Sequence, residues 1–198
     1  MTIHILLSVG LGIVFGYFWT PEIIVQNIDI LIDFGLCLLL FFVGIDIGKN
    51  KSIISDIKSY GFKIFLIPLS VVIGTLLGSV ASSFFLNLSI FETAAVGAGL
   101  GWYSLSAIEL SKHSAELGTI AFLANVSREV IALIVIPIIA TKIGHIEAIA
   151  PAGATSMDTS LPVITKATSG SISILAFFSG VILSILVPIL VPLMMSFN

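Results

Sequence analysis

Long apolar stretches alternate with short polar ones along this chain of 198 residues, and inside each stretch the apolar residues are continuous. Runs such as LCLLLFFVGI and ALIVIPIIA lack the polar residue at every second place that a membrane β-barrel strand requires, so they predict helices. A helix needs about 20 mainly apolar residues to cross a bilayer. Five stretches meet or approach that length: residues 3–19, 28–47, 62–86, 117–141 and 172–195. The third carries Gly74 and Gly78 four apart, a close-packing face for a neighbouring helix, and the last is interrupted by Pro188 and Pro192.

Two other stretches, 91–112 and 148–169, are too polar to face lipid and too apolar for solvated loops. The first holds Gly97, Gly99 and Gly101 among hydroxyl residues, and the second holds Gly153 and Pro162. Glycine adopts backbone angles closed to other residues, and non-helical backbone at membrane depth survives only under a cover of protein or beside a watery cavity. Both segments are expected to be broken or re-entrant. The predicted fold is thus an all-α integral membrane protein, one transmembrane domain of about five transmembrane helices plus two broken or re-entrant segments.

Composition sharpens this picture. Hydrophobic residues make up 58% and charged residues 10%, with a mean hydropathy of +1.21, far from the roughly one-quarter charged residues of a soluble domain. A net charge of -3 predicts no nucleic-acid partner. The single Cys37 cannot build a disulfide framework or a thiolate metal site, and His4, His113 and His145 lack ligand spacing, so neither metal nor cofactor is expected. No Lys or Arg precedes the first apolar run and no small-residue cleavage site follows it, which marks a retained first span. Lys49, Lys51, Lys58 and Lys63 crowd one loop and place it, with the amino terminus, on the cytoplasmic side. If both irregular segments enter and leave on one side, the first dips from outside and the second from inside; if 91–112 crosses fully, everything after it inverts.

Against this background a few polar residues stand out. Arg128 and Glu129 interrupt the stretch 117–141, with Glu129 thirteenth of its 25 residues and so near mid-depth. Charges in hydrocarbon are costly and are normally kept where they face water, a partner or a substrate. Asn125, Arg128 and Glu129 are three and four apart and are expected on one helix stripe. Asp158 lies in the Gly/Pro-punctuated segment PAGATSMDTSLP among Thr155, Ser156, Thr159 and Ser160, where it serves either as a helix N-cap or as a cavity-facing acid. Carboxyls withdrawn from water bind protons more readily, so two of them in one cavity can trade protons for an amine cation. The motif Gly101-Trp102-Tyr103-Ser104 sets an aromatic pair on a glycine hinge, suited to a cation-π face, a gate or interface packing. Asp29, Asp33, Asp46, Glu109 and Glu116 read as interfacial or loop-edge charges.

Four motifs resemble those of the lysine exporter LysO family of inner-membrane transporters: FFVGIDIGKN at 41–50, GAGLGWYSLSA at 97–107, ANVSRE at 124–129 and GATSMDTSLPV at 153–163. The resemblance implies a multi-pass protein of the cell inner membrane, not an enzyme, that exports L-lysine and its analogue thialysine in exchange for protons. It implies that Glu129 and Asp158 are essential. Substrate and proton binding is then expected at Glu129, Asp158, Arg128, Asn125, Trp102, Tyr103, Ser104 and Ser156, with the lysine carboxylate on Arg128 or on a half-helix N-terminus. Family members carry about three further spans ahead of the matching region, so this chain is expected to be the carboxyl-terminal part of a split transporter. A small, separately encoded membrane subunit would complete it, or else a homo-oligomer. A carrier for another small amine or organic ion is the alternative function.

Overall fold

A computed structural model of the chain describes residues 2–18 and 61–198, with scattered positions between 20 and 45. Among the described residues the fold is all-α. We label the helices α1 (Thr2–Phe18), α2 (Leu66–Ser82), α3 (Ile90–Gly97), α4 (Tyr103–Ser111), α5 (Ala115–Lys142), α6 (Leu161–Ala167) and α7 (Gly170–Met195). Short 3-10 turns cover Gly61–Phe65, Glu147–Ile149 and Gly153–Met157.

The helix starts follow from local chemistry. Ser89 and Glu92 form a reciprocal capping box at the head of α3, the Ser89 hydroxyl accepting from the Glu92 N–H and the Glu92 carboxylate accepting from the Ser89 N–H. Ser114 and Ser169 cap α5 and α7 in the same one-sided way, accepting from Leu117 N–H and Ile172 N–H. Lys142 sits in the last turn of α5, where a cation complements the helix dipole.

Among the described residues, α5 (28 residues) and α7 (26 residues) are long and apolar enough to cross a membrane. Of the about five full spans expected, these two meet that measure among the described residues. The stretch 62–86 yields only the 17-residue α2 after a 3-10 turn, and 3–19 yields the 17-residue α1. At 1.5 Å per residue each rises roughly 25 Å, at the lower edge of what a ~30 Å hydrocarbon core needs. The stretch 28–47 lies mostly outside the described residues. The stretch 172–195 is the single helix α7, which continues unbroken through Pro188 and Pro192. A proline inside a membrane helix removes one hydrogen bond but is tolerated where neighbours support the backbone.

The two irregular stretches form helical hairpins that enter from opposite ends of the α5/α7 pair. At the head of α3, Ser89 bonds to Asn198 (2.5 Å) just past α7, and Phe91 packs on Phe197. The tail of α4 lies against the start of α5, where a Cβ on Gly118 would come within 2.9 Å of the Ala107 carbonyl. Both ends of 89–111 thus lie where α5 begins and α7 finishes. Ala148 and Ile149 instead share a buried cluster with Ile136 and Ala140 of α5, Ile164 of α6 and Ile172 of α7, which puts both ends of the second hairpin at the other end of the bundle. The hairpins meet tip to tip, the Ala154 N–H donating to the Leu100 carbonyl at 2.9 Å.

This meeting needs glycine. Gly101 and Gly153 hold φ of 102° and 62°, in the left-handed region that favours glycine. A Cβ on Gly153 would also press on the Leu100 carbonyl and the Arg128 guanidinium. Gly153→Ala should therefore lower stability by about 1–3 kcal/mol, seen as a drop in Tm of the detergent-solubilised protein. Gly74→Ala, which meets open space on all sides, should leave Tm unchanged; equal Tm values for the two variants would contradict the tip geometry.

Candidate functional site

Where two hairpin tips meet, the chain leaves its helical hydrogen-bond ladder, and the freed N–H and C=O groups need partners because hydrocarbon supplies none. Polar residues of α5 supply them. Asn125, 3% exposed, accepts from the Gly101 N–H at 2.8 Å and donates to the Val96 and Ala121 carbonyls at 3.1 and 2.9 Å. Its amide also reaches the Ser106 hydroxyl at 3.3 Å. Asn125 is thereby fully used in holding the first tip.

Arg128 does the same for the second tip. Its Nε donates to the Pro151 carbonyl at 3.1 Å, one terminal nitrogen to the Ala150 carbonyl at 3.3 Å and the other to the Thr75 hydroxyl of α2 at 3.1 Å. Among the described residues it meets no carboxylate. A guanidinium presents several donors in a fixed planar fork, which suits adjacent carbonyls and a hydroxyl better than a single ammonium would.

Glu129 turns elsewhere. The Thr159 hydroxyl donates to Glu129 Oε1, and the same hydroxyl lies 3.3 Å from Asp158 Oδ1. Asp158 Oδ1 also accepts the Thr159 N–H at 2.6 Å. Glu129 and Asp158, 29 positions apart in the chain, therefore stand on either side of one threonine. Both line a cavity of about 220 Å³ together with Gly101, Trp102, Tyr103, Ser104, Thr155 and Ser184. Tyr103 is set by an edge-on contact with Phe122, ring centroids 5.6 Å apart.

The structure thus gathers Glu129, Asp158, Trp102, Tyr103 and Ser104 and separates the other three candidates. Arg128 lines two different cavities, of about 260 and 570 Å³, with Thr75, Ser79 and Ser82 of α2. The expectation of a single Asn125/Arg128/Glu129 stripe is corrected accordingly. Steps of three and four residues turn about 300° and 400°, so Arg128 and Glu129 straddle Asn125 and diverge by about 100°. Ser156 is fully buried and donates to the Gly153 and Ala176 carbonyls, each at 2.8 Å, so it braces the second tip against α7 instead of lining the cavity. Nor does Asp158 cap α6 through its side chain: Ser160 occupies the cap position, without a side-chain bond.

Of the remaining charges, Glu109 pairs with Lys112 at 2.7 Å near the end of α4. Asp29, Asp33 and Asp46 lie outside the described residues. Thr159 and Thr75 were not singled out as site residues from sequence. Thr159 stands beside Asp158 in a run of hydroxyls, but nothing local distinguishes it from Thr155 or Ser160; the link from Thr75 to Arg128 spans 53 positions and has no sequence signal.

Comparison with known proteins places these features in a family. Residues 6–195 match the family model described as "Lysine exporter LysO". The chain is 36% identical over 160 residues to the protein named "Lysine exporter LysO" of Escherichia coli strain K12, a match over 80% of this chain and 53% of that protein. It is 32% identical over 200 residues to the "Putative lysine exporter" of Haemophilus influenzae Rd, a match over 98% of each chain. No solved structure matches. The second relative corrects the expectation that the chain lacks the first spans of its family. A family member aligns with it nearly end to end, so the extra length of the Escherichia coli protein is not common to all members. The ground for expecting a separately encoded subunit goes with it.

The division of labour along α5 has a measurable consequence. Asn125→Leu leaves the Gly101 N–H and the Val96 carbonyl without their side-chain partner, at about 1–3 kcal/mol for each buried group left unsatisfied. Arg128→Lys cannot reach all three of its acceptors. Both variants should insert but unfold at lower temperature in detergent, Asn125→Leu by several degrees; wild-type thermal stability in both would show that the tips do not depend on α5.

Proposed function

The chain belongs to the lysine exporter LysO family, and on that premise we propose that it exports L-lysine across the cytoplasmic membrane in exchange for protons. The observation that carries the reading is the shared cavity: Glu129 and Asp158 face one space, beside Trp102 and Tyr103, at the level where two hairpin tips interrupt the helical backbone. Positions of this kind, near the bilayer midplane and between discontinuous helices, are where transporters hold substrates and coupling ions.

The chemistry follows from the groups present. Two carboxylates together attract a cationic amine, and an aromatic face beside them strengthens the attraction when water is excluded. A proton arriving on either acid removes one of the two negative charges and weakens the hold on the amine, so protonation and amine release are linked. Arg128 faces other cavities, so the lysine carboxylate is assigned to the head of α4. There Trp102 occupies the cap position without offering a side-chain acceptor. The Tyr103 N–H donates to the Gly101 carbonyl at 3.1 Å, and the N–H groups that follow it in the first turn lie too early in the helix for an intrahelical acceptor. Ser104, on the first turn of α4, adds a hydroxyl to the cavity lining.

In this reading the protein is a multi-pass component of the inner membrane. α5 and α7 span fully, the shorter α1 and α2 span with the bilayer thinned around them, and the two hairpins dip from opposite faces. Assembly with another membrane chain, a second copy included, belongs to the same reading.

The deciding experiment uses proteoliposomes preloaded with radiolabelled lysine under an imposed proton gradient. Glu129→Gln and Asp158→Asn should each reduce exchange to the background of protein-free vesicles, with insertion and detergent Tm preserved. Wild-type exchange by either variant would remove that acid from the mechanism, and exchange by both would overturn the proposal. Loading with another small amine or organic ion in place of lysine tests the alternative substrate class in the same vesicles.

A further inference from the structure

Thr159 touches both acids, and the chemistry of its hydroxyl makes that contact more than structural. Oγ1 donates to Glu129 Oε1 and lies 3.3 Å from Asp158 Oδ1, while the backbone N–H of the same residue holds Asp158 Oδ1 at 2.6 Å. A threonine hydroxyl has one proton to donate. With both carboxyls ionised it serves Glu129 and leaves Asp158 to the N–H. When Glu129 gains a proton it no longer needs a donor, and the hydroxyl proton can swing about the Cβ–Oγ1 bond toward Asp158 without displacing a heavier atom.

We infer that Thr159 is a positioning residue that makes Glu129 and Asp158 one exchanging unit: its single hydroxyl proton follows the ionised carboxyl, so occupancy of one acid by a proton or an amine is felt at the other. The inference rests on the exchange reading above. The ionisable groups that face Thr159 around the cavity are Glu129 from α5, Asp158 from its own turn and Tyr103 from the head of α4; α7 contributes the uncharged Ser184. Arg128 lines the other cavities and does not enter the unit. Two other hydroxyls of the lining are engaged elsewhere. Thr155 is engaged with the Ala152 carbonyl and Ser160 at 2.9 Å each, and Ser184 with the Met157 sulfur at 3.7 Å.

The test compares Thr159→Val, which keeps the branched shape and removes the hydroxyl, with Thr159→Ser, which keeps the hydroxyl. Lysine/proton exchange in proteoliposomes is followed across about pH 5 to 9. For Thr159→Val the rate at neutral pH should fall about tenfold, and the midpoint of the pH profile should rise by about one unit, because a carboxylate that loses a donor holds its proton to higher pH. Thr159→Ser should stay within about twofold of wild type, with an unmoved midpoint. A Thr159→Val protein slower at every pH but with the wild-type midpoint would reduce Thr159 to a packing residue and overturn the inference, as would a Thr159→Ser profile shifted like that of Thr159→Val. Thr159→Ala, read by the same criterion, replaces Thr159→Val if the latter does not insert. Glu129→Gln and Asp158→Asn run alongside: retained exchange in both defeats the exporter mechanism itself, whereas lost exchange in both with an unmoved Thr159→Val midpoint defeats only the role given to Thr159.

Discussion

Hydrogen bonding of irregular backbone far from water is the constraint on which the rest of this structure depends. Two hairpins leave helical geometry where their tips meet, and the peptide groups released there have no solvent to fall back on. One is satisfied across the tips, Ala154 N–H to Leu100 C=O. Others are satisfied by a single helix, with Asn125 serving the first tip and Arg128 the second. Left-handed glycines at 101 and 153 bring the chains close enough for this to work.

That constraint also explains the division between structural and chemical polarity on α5. Asn125 and Arg128 spend their capacity on backbone groups, and Glu129, one position further round the helix, is left to face a cavity. A cation and an anion adjacent in sequence thus serve different compartments of the protein. Among the described residues, no Arg or Lys lines the acid cavity. The exchange proposed above rests on this arrangement.

Much of this was legible in the residues themselves. Continuous apolar runs announce membrane helices, and the glycine- and hydroxyl-rich stretches around Gly99 and Gly153 announce breaks, because such compositions neither face lipid well nor need solvent. Glu129 and Asp158 were conspicuous for the same reason: ionisable groups are scarce in apolar surroundings and costly to keep there. Helix length was less legible. Hydropathy continues past residue 82 to Leu86, yet α2 ends at Ser82, where Ser82 and Ser83 hydroxyls turn back onto the Ser79 and Val80 carbonyls. Pro188 and Pro192 leave α7 unbroken, since a packed membrane helix absorbs a missing hydrogen bond.

By itself, then, the sequence determined the solvent, the helical class, the positions of the two breaks and the identities of the two acids, all of which follow from local composition and its transfer cost. Only the tertiary structure decided which polar groups meet. Whether Arg128 faces Glu129 or the carbonyls of Ala150 and Pro151, and whether Ser156 or Thr159 attends the acids, turns on a rotation of about 100° per residue and on contacts tens of positions apart. Those contacts are set by how two hairpin tips fit between α5 and α7, a fit no local window of residues contains.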